Sequence, residues 1–211
     1  MSYMIFKNRV DAGKLLANKL VHFKNQPGLL VLGLPRGGVP VASEIARELQ
    51  AQLDVLIVRK LGHPQWPELA IGAIATGDIC IFNHYTLQSA ALNDAQLNAI
   101  IDREKNELNR REKLYRGNKP PLAIEGNTII LVDDGLATGA TMAAAIKALR
   151  QKKPKQIIAA IPVSSVDALR RIQELADEVI CLQVPAEFSA VGCWYHEFTQ
   201  TTDDEVRALL G

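Results

Sequence analysis

The sequence predicts an α/β fold, with a central parallel sheet flanked by helices. Short apolar runs recur along it, at Leu29–Leu32, Leu53–Val58, Ile129–Val132, Gln156–Val163 and Glu178–Leu182, and helix-like stretches alternate with them. Runs that are apolar at successive residues suit strands buried on both faces, as in a parallel sheet covered by helices. Strand and helix in alternation imply right-handed βαβ units. Three of these runs also lead into loops rich in glycine, threonine or adjacent charges, at the strand ends where open α/β sheets bind ligands.

Taken in order, Arg9 to Phe23 has Ala12, Leu15, Leu16, Leu20 and Phe23 at helical spacing, and Pro27-Gly28 ends the helix. This opening reads as scaffold. The run Leu29–Leu32 enters Gly33-Leu34-Pro35-Arg36-Gly37-Gly38, and Pro40 suits the first turn of the following helix. Glycines there let backbone approach an anion, although a tight turn with an exposed Arg is the plainer alternative. Leu53 to Val58 ends at Arg59-Lys60, two cations expected to face the same crevice. His63 to Ala73, with two prolines and Trp66, reads as a mobile loop with glycine hinges. A loop His beside Pro, as His63 is, is more often incidental than catalytic.

Ile71 to Ile81 reads as a strand pair turned at Thr76-Gly77-Asp78. Asn93 and Gln96 have capping-box spacing, opening a long helix to about Tyr115 with a stripe of Leu97, Ile101, Leu108 and Tyr115. The charges from Asp102 to Arg116 alternate in sign, which marks a solvated face rather than a nucleic-acid helix. Residues 71–116 thus form a hairpin-plus-long-helix insertion. Later, Ser165 caps one helix, and Thr202 with Glu205 caps the last. Phe188, Trp194, Tyr195 and Phe198 cluster near the end, as a cap on the core or as a lid, spanning about 185–211, that stacks on a planar acceptor.

The most informative stretch is Ile129 to Met142. Asp133 and Asp134 follow an aliphatic run, then Gly135 and Gly139 bracket Thr138 before an Ala-rich helix. A Gly/Thr loop entering a helix offers free N–H groups and a positive dipole end to a phosphate. Two carboxylates on opposite sides of a strand can bracket a diol, since each accepts from two hydroxyls. Diol and phosphate one loop apart describe a ribose 5-phosphate. The lysine of a P-loop and the G-x-G-x-x-G spacing are missing.

Length and composition bound the rest. At 211 residues the chain suffices for one α/β domain, 1–211. Its net charge of +1 argues against a broad nucleic-acid surface. Cys80, Cys181 and Cys193 make no metal-ligand or disulfide pattern, which suits a cytoplasmic protein. No apolar run approaches membrane-span length, so no membrane partner is expected.

The Asp133–Thr141 string closely resembles the phosphoribosyl pyrophosphate (PRPP) signature of type I phosphoribosyltransferases. Arg36-Gly37-Gly38 falls where that family's pyrophosphate loop would be, and Arg59-Lys60 resembles the basic pair before its flexible loop. With Arg9-Val10-Asp11-Ala12-Gly13, the Pro67–Ala73 segment and the aromatic tail, the likeness extends over nearly the whole chain to a bacterial subgroup of predicted phosphoribosyltransferases. What this resemblance implies is transfer of a 5-phosphoribosyl group from PRPP to an unidentified acceptor, such as a nucleobase, releasing pyrophosphate. Asp133, Asp134, Arg59 and Lys60 would be catalytic. Gly135, Ala137, Thr138, Gly139, Ala140 and Thr141 would hold the 5′-phosphate, and Arg36, Gly37, Gly38 and Lys60 the pyrophosphate. His63, Trp66 and Glu68 would ride the flexible loop, and Phe188, Trp194 and Tyr195 would wall the acceptor pocket. Mg²⁺ would arrive with PRPP, Asp133 and Asp134 being its nearest protein ligands. A homodimer is the default oligomer. The alternative is a non-catalytic sensor of PRPP or a nucleotide on the same fold. A phosphohydrolase fits poorly, because Gly135 occupies the place of its second acid.

Overall fold

The computed structural model describes residues 3–66, 70–77 and 79–211. In chain order the elements are α1 (Arg9–Lys19), β1 (Leu29–Gly33), α2 (Gly38–Leu49), β2 (Gln52–Val55), β3 (Val58–Gly62), β4 (Ala70–Ala75) and β5 (Ile79–Phe82). There follow α3 (His84–Ser89), α4 (Asp94–Arg116), β6 (Thr128–Val132), α5 (Ala140–Arg150), β7 (Gln156–Val163), α6 (Val166–Gln173), β8 (Glu178–Gln183) and α7 (Asp203–Leu210).

Five strands form a sheet in the order β2-β1-β6-β7-β8, with every neighbouring pair parallel. The consecutive apolar residues of β6 are explained by the two layers. Ile129 and Leu131 pack with Met142, Ile146 and Ile172 on one face, while Ile130 and Val132 pack with Leu16, Val41 and Ile45 on the other. All four are fully buried. Burial of each such side chain contributes about 1.5–3 kcal/mol, so neither face can turn polar cheaply. The strand order reverses direction between β1 and β6, and such a switch point opens a crevice beyond the strand ends. In register, Gly33 lies opposite Val132, so the loops leaving β1 and β6 start side by side.

The run Leu53–Val58 is not one strand. Its pairing with β1 ends at Val55, and Leu56 N–H still donates to the Gly33 carbonyl at 3.1 Å. Ile57 N–H then donates to Thr76 Oγ1, and Thr76 N–H to the Ile57 carbonyl, so the chain crosses into a second sheet. That sheet is antiparallel, in the order β3-β4-β5. The expected strand pair therefore exists as β4 and β5, joined by a third strand. Asp78 of its turn lies outside the described residues.

The long helix begins as expected, with the reciprocal Asn93–Gln96 capping box, and its Glu107–Arg111 and Glu112–Arg116 pairs form at 2.7 and 3.1 Å. Its charged run, however, is not wholly solvated. Glu104 and Arg116 are buried, and Arg116 donates to both oxygens of Asp54 on β2 at 3.0 and 3.2 Å. Breaking one partner of such a pair typically costs about 3–5 kcal/mol, because a buried charge is left unpaired. None of the described helices is long and apolar enough to cross a membrane.

Candidate functional site

Both glycine-bearing loops reach the switch point. After β1, Leu34 N–H donates to the Val132 carbonyl at 2.9 Å, which holds the first loop against the end of β6. The Pro35–Arg36 peptide is cis, and Gly37 precedes α2 without a side-chain cap. A methyl group on Gly37 would overlap the Asp134 carboxylate, and one on Gly38 would sit 2.5 Å from the Val132 carbonyl oxygen and 3.0 Å from Asp133 Cα. Only glycine lets this loop lie so close to the acids.

Asp133 and Asp134 follow β6, which ends at Val132. Because the chain bends out of the strand, the alternation that would place them on opposite sides no longer applies. The contact between them is local: Asp134 N–H donates to Asp133 Oδ1 at 2.9 Å. Burial, then the neighbouring charge of Asp134, pushes the Asp133 carboxyl well above the usual carboxylate range. Burial also raises Asp134, with Arg9 pulling against it.

The loop then runs to α5. Leu136 is tied across to β7 by its N–H to the Val163 carbonyl at 2.9 Å, and Ser165 Oγ donates to the Ala137 carbonyl at 2.7 Å. Gly139, at φ +68, opens α5 with no side-chain cap, and Ala140 N–H has only a long contact to Thr138 Oγ1 at 3.4 Å. Ala137, Thr138 and Thr141 are exposed. An uncapped N-terminus with exposed hydroxyls beside it is suited to an anion.

Reading the sequence missed Arg9. Its Nε donates to Asp134 Oδ2 at 2.8 Å, its second nitrogen to the Thr199 carbonyl at 2.8 Å, and its guanidinium lies 3.9 Å over the Phe198 ring. Arg9 and Asp134 side chains are only 12% and 14% exposed. One signal was available: a cation in a helix's first turn opposes the helix dipole and calls for another partner. Tyr195 was assigned the wrong job. It is 6% exposed, packs on Phe6 at 5.4 Å and donates its hydroxyl to the Asp134 carbonyl at 2.6 Å, so it cannot stack on an acceptor. Trp194 and Phe188 are only partly buried and pack against the cluster of Phe6, Ala12 and Val163. The aromatic tail is thus a cap that buttresses the acids.

The other expected cations lie apart from this cluster. Arg59 is held by Glu104 of α4 at 2.6 Å, and Lys60, its neighbour in an extended strand, is exposed. Alternation along β3 turns the two side chains to opposite faces, so they do not act as one pair. Arg36 reaches Asp203 of α7 at 3.7 Å. Of the flexible-loop residues, His63 is 3% exposed, with Nε2 3.2 Å from the Ala90 carbonyl and Nδ1 accepting from Gln65 N–H. It stacks on Trp66, which is 60% exposed. Glu68 lies outside the described residues.

A model of the phosphoribosyl transferase domain matches residues 4–197. The chain belongs to the phosphoribosyl transferase family. A Mycobacterium tuberculosis member named "Putative phosphoribosyl transferase" is 44% identical over 206 residues, 98% of this chain. The chain spans 46% of that relative's length. The crystal structure of a Thermus thermophilus protein superposes with a TM-score of 0.88 at 42% identity, covering 98% of each chain. "Bifunctional protein PyrR" of Corynebacterium diphtheriae is 30% identical over 122 residues, 58% of this chain and 46% of that protein. Against this phosphoribosyl transferase background, the acids and both glycine loops lie at the strand ends of a type I fold, Arg59 pairs with Glu104 of α4, and the aromatic tail reaches the acids through Tyr195 and Arg9.

Proposed function

We propose that this chain transfers the 5-phosphoribosyl group of PRPP to an acceptor, with nucleobases the first class to test, and releases pyrophosphate. One observation carries the reading: an uncapped helix N-terminus, a Gly37–Gly38 turn pressed on a carboxylate, and two acids short of positive charge meet at one switch point. The 5′-phosphate would lie on the Gly139, Ala140 and Thr141 amides, with the Thr138 and Thr141 hydroxyls beside them. The ribose 2′ and 3′ hydroxyls would donate to Asp133 and Asp134, which have accepting positions left beyond Asp134 N–H and Arg9. Pyrophosphate would lie along Gly37 and Gly38, with Arg36 swinging to it from Asp203.

Chemistry at the anomeric carbon breaks its bond to pyrophosphate and forms one to the acceptor's lone pair, and positive charge grows on the ribose between the two events. Ionised Asp133 and Asp134 favour that charge, and backbone amides with Arg36 favour the departing anion. Asp133 and Asp134 are the carboxylates that would offer oxygens to a divalent cation arriving with PRPP. Mg²⁺ bound with PRPP would supply charge neutralisation to the pyrophosphate.

The test is pyrophosphate release from PRPP and Mg²⁺ with a panel of nucleobases and small acceptors. Release with at least one acceptor, lost in Asp133→Asn, is expected; PRPP binding without release for any acceptor contradicts it. That second outcome suits the sensing alternative, which one observation favours: Arg36, expected on pyrophosphate, and Arg59, expected to be catalytic, pair with Asp203 and Glu104. Ligand-dependent complex formation with a partner, retained in Asp133→Asn, is its signature.

A further inference from the structure

Away from the switch point, a cavity of about 520 Å³ lies between the β4–β5 turn, the middle of α4 and the segment following α5. Its floor includes Ile74, Ile79, Leu108 and Ile124, all buried. Lys113, Lys119 and Lys152 also line it. Among the described residues the one lining acid, Glu112, is taken by Arg116 at 3.1 Å, and Arg116 is in turn bound to Asp54 in the interior; Lys105 lines the cavity too. The Lys119 ammonium donates to the Leu210 carbonyl at 2.5 Å, which uses a donor and leaves the charge. Lys113 and Lys152 have no ion-pair partner among the described residues. Lys152 leans over the turn: a Cβ built on Gly77 would be 3.9 Å from its Nζ.

The size is that of a small-molecule site, and an apolar floor with a few convergent polar groups is the usual makeup of one. Here the described lining carries more cations than acids, and Lys113, Lys119 and Lys152 form no ion pair with any described acid. We propose that this cavity binds an organic anion with a flat apolar body, its ring system on the isoleucine and leucine floor and its acidic group against Lys113, Lys119 and Lys152. Such a ligand touches the β4–β5 hairpin and Lys152, just beyond α5. The far end of β4 adjoins the Trp66 loop, and the far end of α5 is the phosphate loop, so an occupant braces the hairpin against the signature helix. The proposal stands whether or not the chain transfers phosphoribosyl groups.

Cys80 lines the same cavity and is exposed, as is Cys193 elsewhere, which provides a reporter and an internal control. The experiment titrates the full chain with 1-naphthyl phosphate, 1-naphthol and inorganic phosphate, and follows iodoacetamide labelling of both cysteines by peptide mass spectrometry. Naphthyl phosphate is expected to bind at least about tenfold more tightly than either fragment, since floor and cations then act together. It should also slow labelling of Cys80 and leave Cys193 unchanged. Both effects should disappear in Lys113→Glu/Lys152→Glu, or in the corresponding Gln pair if the reversed pair melts early, and persist in Asp133→Asn. Binding that leaves Cys80 labelling unchanged, that survives charge reversal, or that is no tighter than phosphate alone overturns the proposal.

Discussion

At the ends of β1 and β6, two adjacent carboxylates, Asp133 and Asp134, have one arginine beside them, Arg9, which pairs with Asp134; beside β3, one carboxylate, Glu104, is shared by two arginines, Arg59 and Arg103, at 2.6 and 3.0 Å. The first cluster is short of positive charge in a part-buried crevice, and its acids respond by holding on to a proton. The second has cation enough for its acid and knits α4 to the small sheet. A charged residue near a crevice therefore says little by itself. What marks the first cluster as a site is an unmet demand for cations or hydroxyl donors, next to an unmet demand for an anion at the start of α5.

Substitutions in the two clusters should separate them. The largest effect is expected at Asp133. Asp133→Asn keeps the oxygen that accepts from Asp134 N–H but loses the charge that favours a ribose cation, so turnover should fall about 10²–10³-fold, as steady-state pyrophosphate release would show. Arg9→Ala comes next. It leaves the Asp134 carboxylate without the partner that aims it, and a misaimed group costs about 10–10²-fold. Arg9→Lys should recover part of the rate, and the acid limb of the pH profile should move upward in Arg9→Ala. By contrast, Arg59→Ala should change turnover by about threefold or less, while thermal melting registers a loss of about 1 kcal/mol, since Glu104 keeps Arg103. A loss of turnover in Arg59→Ala as large as in Asp133→Asn would put the hairpin inside the site and end the contrast.

Stability should respond in the opposite sense to activity. Asp133 keeps its proton in the folded chain at pH values where the unfolded chain has released it. Stability from this group is therefore complete below the ordinary carboxylate range and is lost as pH rises toward its raised pKa. Asp133→Asn should melt higher than the parent at neutral pH, by about 2–4 °C for each kcal/mol recovered, with the gap closing in acid. By the same linkage, PRPP and Mg²⁺ should bind with proton release, seen as a calorimetric enthalpy that changes with the buffer. The smallest effect is expected at Asp203, whose exposed pair with Arg36 is worth well under 1 kcal/mol. Asp203→Asn should tighten PRPP binding about twofold in a direct titration.

The difference between the clusters also explains what could be read from the sequence. Strand, loop and helix in the order Ile129 to Met142 are local, and a parallel sheet places such a loop at its ligand edge without further information. Capping boxes at Asn93 and Thr202 are local for the same reason, and both form. Contacts distant in sequence were hidden. Arg9 and Asp134 are 125 residues apart, Asp54 and Arg116 62, and Arg59 and Glu104 45. Nothing in the run Leu53–Val58 announces that Ile57 will turn to Thr76. Strand alternation does not reach Asp133 and Asp134, because the strand has ended at Val132.

A crystal structure of the chain with PRPP and Mg²⁺ tests the central claim most directly. The account predicts the 5′-phosphate on the Gly139–Thr141 amides and the ribose diol on Asp133 and Asp134, with pyrophosphate along Gly37 and Gly38. PRPP bound at Arg59 and Lys60, or in the cavity of Lys113 and Lys152, with the switch point bare, would contradict it.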